Sequence, residues 1–227
     1  MSLIWDKCDK LKEHVISILD NRSVEIHEPG MEKFNYDGWT NRVWNSNSYR
    51  RAHVDVVDAT ETRKLWMMHV CIMPHTHNSG PIFGLDIVAG ERKVTGFFLD
   101  YSMGELGNDL DNYFSECTNN IEVSKQRDLP DWARNIFSDN MIAAGNIQDE
   151  DELDKLIYLA VDLLCFYIEE IEKLNNTQDP EVGKQKQNMY ATNQKSNPHT
   201  PRVMKNLGLN SDDVDLFCSE CLFPLLT

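Results

Sequence analysis

The chain has 227 residues, 41% of them hydrophobic, and a formal charge of −15. That length fits one domain with a sizeable core, spanning residues 1–227, and the acidity argues against nonspecific binding to nucleic acid or an anionic membrane. No run of about 18 apolar residues predicts a membrane span, and the start, MSLIWDKCDK, lacks the basic and apolar regions of a signal peptide, so a cytoplasmic location is expected.

The predicted elements begin with a helix over Leu3 to Leu19. Leu3, Ile4, Cys8, Leu11, Val15, Ile18 and Leu19 recur at helical spacing. A strand-rich block follows from about residue 24 to 101. Its runs are Val24–His27, Lys33–Asn45, Tyr49–Asp58, Leu65–Pro74, Ile82–Val88 and Lys93–Asp100. Their short connections imply antiparallel neighbours. Beyond Ser102 the pattern turns helical over Leu106–Ile121, Trp132–Phe137 and Asp149–Leu174, with a short strand at Met141–Ala144. The polar stretch Asn175–Asn197 reads as a mobile loop with a weak helix. Helices over Pro201–Leu207 and Ser211–Leu222 complete the pattern. Helices before and after one contiguous antiparallel sheet predict an α/β fold, a three-layer α/β/α sandwich with the sheet in the middle.

Two strands carry a titratable residue inside an apolar run. Leu65–Pro74 holds His69 and Ile82–Val88 holds Asp86. Ionisable groups in such places are costly unless paired or used. Strand alternation puts Met67, His69, Cys71 and Met73 on one face, and Ile82, Gly84, Asp86 and Val88 on one face. If those faces coincide, imidazole and carboxyl meet in one cavity, poised to hold protons for a substrate. His53, Asp55 and Thr95 extend the polar set, and Thr95 shares its face with Phe97 and Leu99. From the residues alone a small hydrolase built on Asp86 and His69 stays open. So does the bland reading that each is a satisfied core residue.

His75-x-His77 with Asp86 lacks a third metal ligand at a telling spacing, and Cys218-x-x-Cys221 lacks a second pair. No G-x-S-x-G, phosphate-binding loop or G-x-G-x-x-G occurs.

Several stretches together resemble a known family. They are His69-Val70-Cys71-Ile72-Met73-Pro74, the run Gly80-Pro81-Ile82-Phe83-Gly84-Leu85-Asp86-Ile87-Val88-Ala89-Gly90, and Asp100-Tyr101-Ser102. Leu129-Pro130-Asp131-Trp132 with Ile136-Phe137-Ser138, Gln194 to Val203, and Cys221-Leu222-Phe223 add to them. The family is the ferredoxin-dependent bilin reductases, and the likeness covers roughly residues 48 to 224. It is greatest to the phycocyanobilin-forming branch and to its phage-borne, phycoerythrobilin-forming relatives.

The resemblance implies an oxidoreductase without a bound cofactor. Biliverdin IXα lies between the sheet and the C-terminal helices and receives single electrons from an external [2Fe–2S] ferredoxin, with protons from side chains. It implies His69 and Asp86 as catalytic residues, and His53, Thr95, Asn197, His199 and Thr200 as pocket positions. One departure is Asp55, where the phycocyanobilin branch has a Glu that assists reduction of the D-ring vinyl group. One methylene displaces a carboxyl by about 1 Å, enough for roughly a hundredfold in rate. The expected product is therefore phycoerythrobilin, with phycocyanobilin, or a non-catalytic tetrapyrrole carrier, as alternatives. Family Arg and Lys positions fall at Gly145 and His199, which passes propionate pairing to Lys195, Arg202 or Arg51. Docking of an acidic ferredoxin requires a positive patch, for which the candidates are Arg50, Arg51, Arg63, Lys64, Arg92, Lys93, Lys184, Lys186 and Lys195. Nothing in the sequence demands more than a monomer.

Overall fold

The computed structural model describes residues 2–227. Helix α1 (Leu3–Arg22) buries Ile4, Trp5, Cys8, Leu11, Val15 and Leu19. The sheet follows: β1 (Val24–Ile26), β2 (Trp39–Asn45), β3 (Tyr49–Ala59), β4 (Leu65–Pro74), β5 (Ile82–Gly90), β6 (Val94–Ser102) and β7 (Ile142–Ala144). Its seven strands lie side by side in sequence order, each antiparallel to the next. A short helix, α2 (Thr60–Arg63), joins β3 to β4.

Alternation along the strands sorts side chains into two cores. Ala52, Val54, Val56, Trp66, Met68, Val70, Ile72, Phe83, Leu85, Ile87, Phe97 and Leu99 face α1, α3 (Asp109–Thr118) and α5 (Glu150–Glu170). Val43, Val57, Cys71, Met73 and Ile82 face the other way. There they meet α6 (Pro180–Gln194), α7 (His199–Leu207) and α8 (Ser211–Leu216). The result is the three-layer α/β/α sandwich. None of its helices is long and apolar enough to cross a membrane, among the described residues.

Several expected elements change. The run Lys33–Asn45 does not form one strand. Met31–Phe34 is a 3₁₀ turn, and the chain reverses at Gly38 before β2. Gly38 has φ +80°, and a Cβ there would stand 2.5 Å from the Asp58 carbonyl oxygen, so only glycine fits the reversal. Trp132–Phe137 contains only the short α4 (Asp131–Arg134). The last helix widens after Leu216 into a π-helical turn, Phe217–Leu222.

At Asn175–Asn197 the expected loop and weak helix become a short turn and a full helix: α6 runs for 15 residues, capped by the Asp179 carboxylate, which accepts from Glu181 N, with Pro180 in the first turn. Its buried face is Gly183, Gln187, Tyr190, Ala191 and Gln194. A Cβ on Gly183 would lie 2.0 Å from the Thr76 carbonyl oxygen, so helix and loop touch backbone to backbone. Gln187 donates to Pro74 O at 2.8 Å and accepts from Arg50 Nε at 2.7 Å. Tertiary contacts, rather than an apolar stripe, hold this helix.

Candidate active site

Cross-strand register builds the site. Asn41, Asp55, His69, Asp86 and Phe98 are successive partners across β2 to β6. His69 therefore lies directly between two carboxyl groups, Asp55 on one neighbouring strand and Asp86 on the other. The next row is Val43, His53, Cys71, Gly84 and Asp100.

Cover over these rows is uneven. On β3, Arg51, His53, Asp55 and Val57 are fully buried. On β4 to β6, Met67, His69, Gly84, Asp86, Val88 and Phe98 are only half-buried although they are central in the sheet. They line a recess between the sheet and the C-terminal layer. The Phe223 ring walls it, edge-on to the His69 imidazole at 5.6 Å and 82°. Tyr190 reaches down from α6, its hydroxyl accepting from Gln194 Nε2 at 2.8 Å and lying over Gly84.

The electrostatics follow from this enclosure. Burial pushes Asp86 up to about 7. Burial also raises Asp55 to about 7, against the hydrogen bond from Trp39 Nε1 (2.6 Å) and aided by the charge of Asp86. Burial, then the nearby Arg51 charge, lower His69 to about 4. At neutral pH the proton store is thus the carboxyl pair, and the imidazole between them is neutral. The Nδ1 atoms of His69 and His53 have no protein partner. Asn41 donates to Phe34 O, which turns its own Oδ1 toward His53 Nε2 at 3.0 Å. His53 therefore carries its proton on Nε2, and its Nδ1 is an acceptor.

Other expected residues lie apart from this row. Arg51 is 2% exposed and forked onto Glu28 through Nε (2.9 Å) and Nη2 (2.8 Å), with Nη2 also donating to Cys221 O at 2.7 Å. One edge of the guanidinium is committed to this pair, while Nη1 is buried with no protein partner. Thr95 sits at the β5–β6 bulge, its hydroxyl donating to Val88 O at 3.0 Å, and its face-mates Phe97 and Leu99 point into the opposite core. Asn197, His199 and Thr200 form their own cluster at the start of α7. The Asn197 side chain accepts from His199 N (2.9 Å) and donates to Thr200 Oγ1 (3.3 Å). Lys195 is half-buried beside them, and Arg202 is exposed on α7.

Sequence reasoning missed Trp39, Asn41, Glu28, Phe98, Tyr190 and Phe223. Of these only Phe223 had a signal, in the stretch Cys221-Leu222-Phe223. Two of the sequence motifs also meet unexpectedly. Asp100 accepts from the hydroxyls of Ser102 and Ser138 and from Ser138 N, which ties the segment after α4 to β6.

Comparison with known proteins agrees with this architecture. The family model for ferredoxin-dependent bilin reductase matches residues 9–224. Phycocyanobilin:ferredoxin oxidoreductase of a Synechococcus species is 27% identical over 194 residues, covering 82% of this chain and 75% of that protein. A solved structure of PcyX superposes with a TM-score of 0.74 at 37% identity, covering 97% of this chain and 99% of the other. Phytochromobilin synthase from tomato, solved in complex with biliverdin, shares the fold with a TM-score of 0.74 at 14% identity over 93% and 82% of the two chains. The fold and the matched span define an oxidoreductase of open-chain tetrapyrroles. The chain belongs to the ferredoxin-dependent bilin reductase family.

Proposed function

We propose that this protein acts as a cytoplasmic monomer that reduces biliverdin IXα to phycoerythrobilin, first at the 15,16 bridge and then at the A-ring diene. Electrons arrive singly from a [2Fe–2S] ferredoxin, and the pigment itself is the electron acceptor, passing through radical states. Each double bond consumes a pair of electrons and a pair of protons. Asp86 delivers protons from the floor of the recess. Neutral His69 hydrogen-bonds the pigment beside it, and Asp55 supports His69 from behind. His53, Asn197, His199, Thr200, Lys195 and Arg202 border the bound pigment.

The observation that carries this reading is the register pairing of His69 with Asp86 at a half-open recess, with the carboxyl raised to about 7. An acid with that value is protonated often enough at neutral pH to donate and basic enough to be reloaded. The product assignment draws support from Asp55. Its short side chain is buried and held by Trp39, away from the recess.

A second reading, phycocyanobilin as product, is favoured by the curated relative's activity. The deciding experiment is anaerobic turnover of the biliverdin complex with reduced ferredoxin, followed by absorbance and electron paramagnetic resonance, with chromatography of the products. A bound pigment whose spectrum ignores reduced ferredoxin leaves only a tetrapyrrole carrier.

A further inference from the structure

Phe98 is the register partner of Asp86, and its ring lies on the recess side of β6. The ring leans back over Gly96, where a Cβ would come within 2.9 Å of it. Above the ring stands the guanidinium of Arg127, its Cζ 5.6 Å from the ring centre. Arg127 comes from the segment that crosses the outer edge of β7. Its backbone N donates to Ala143 O (2.8 Å), and the Gly145 N donates to Lys125 O (3.0 Å). Its Nη2 donates to Thr95 O at 2.7 Å. The side chain is therefore held at its backbone, at one guanidinium edge and against one aromatic face, while the residue as a whole is exposed.

The guanidinium reaches this place only because position 145 has no side chain. A Cβ on Gly145 would stand 2.6 Å from Arg127 Nε and 3.1 Å from Thr95 O. The charge is also uncommitted. In a chain carrying −15, none of the ion pairs among the described residues includes Arg127. Arg51, by contrast, is ion-paired with Glu28. A planar fork with donors to spare, fixed at the rim of a recess, fits a carboxylate with two oxygens.

We infer that Arg127, admitted by Gly145, holds a carboxylate of the tetrapyrrole at the Phe98 rim and so fixes which way round the pigment lies over Asp86. The inference rests on the recess being the biliverdin site. A guanidinium that merely packs on a surface ring would show no preference for charged over esterified pigment.

The test is a spectrophotometric titration with biliverdin IXα and with its dimethyl ester. The wild-type chain should bind the free acid roughly three- to tenfold more tightly than the ester, the range of a partly exposed charge-assisted pair. Arg127→Gln should abolish that preference. Gly145→Ala should abolish it too, although it leaves every charge in place, because the added methyl evicts the guanidinium. Lys155→Gln, a charge removal on α5 beyond the opposite sheet face, should leave the preference intact. Circular dichroism confirms that each variant is folded. A full free-acid preference in Arg127→Gln or in Gly145→Ala overturns the inference and leaves the proposed function standing. Failure of the wild-type chain to bind either pigment overturns both.

Discussion

Asp86 and His69 are direct partners across the β4–β5 ladder, and burial drives them in opposite directions, the carboxyl to about 7 and the imidazole to about 4. On these values the carboxyl, not the imidazole, is the group that titrates near neutral pH. The assignment differs from the usual expectation for a His–Asp couple, in which the imidazole carries the charge.

Removing the proton from that position should arrest the chemistry and spare binding. Asp86→Asn keeps the shape and loses the titrating group. Biliverdin affinity should change less than threefold, and turnover should fall by about 10²–10⁴. After the first electron the bound pigment should accumulate as a radical detectable by electron paramagnetic resonance. Normal turnover in Asp86→Asn would remove this residue from the mechanism.

The same carboxyl should weaken the fold as it ionises. Its folded value, about 7, lies above the ordinary 3.8. Between those values the folded state holds more protons than the unfolded one, so its contribution to stability declines as pH rises from about 4 to 7 and is flat above. Asp55, raised to about 7, acts in the same direction, and His69, lowered to about 4, acts in the opposite one. Asp86→Asn should therefore be more stable than wild type at pH 8, by on the order of 2 kcal/mol, and the gap should close near pH 4. Urea melts at the two pH values measure it.

Asp55→Glu tests the product assignment. The extra methylene brings a carboxyl nearer the recess and should move product toward vinyl reduction, read as phycocyanobilin by chromatography. The site is 2% exposed and already filled by the Trp39 hydrogen bond, so overpacking should also cost about 1–3 kcal/mol. An unchanged product ratio in the folded variant would refute the argument from side-chain length.

Ser138→Ala should loosen the wall that carries Trp132, Ile136 and Phe137. It deletes the hydroxyl donor to Asp100, a carboxyl raised to about 6 by burial and restrained by its hydrogen bonds from Ser102 and Ser138. A loss of about 1–3 kcal/mol is expected, with faster amide exchange confined to residues near 131–141.

The sheet was legible because its strands read as apolar or alternating runs and most links between them are short. His69 and Asp86 were legible as charges inside apolar runs. Helix α6 was legible only as a weak helix, because Gly183, Gln187 and Gln194 form its buried face through backbone approach and hydrogen bonds, which leave no hydrophobic period. The Arg51–Glu28 pair was illegible for a different reason. Only the tertiary fold brings the two together, taking one edge of the Arg51 fork and leaving Nη1 without a partner. The shared face of Thr95, Phe97 and Leu99 was not legible, because one bulged residue breaks the alternation there.

Phe223 has a consequence for how the recess closes. The ring that walls His69 comes from a segment far from that histidine along the chain. Until the two segments meet, the titratable row and the apolar flank of Cys71 and Met73 stand open to water. The roof over this side of the sheet therefore depends on one long-range aromatic contact, and Phe223→Ala would leave it open.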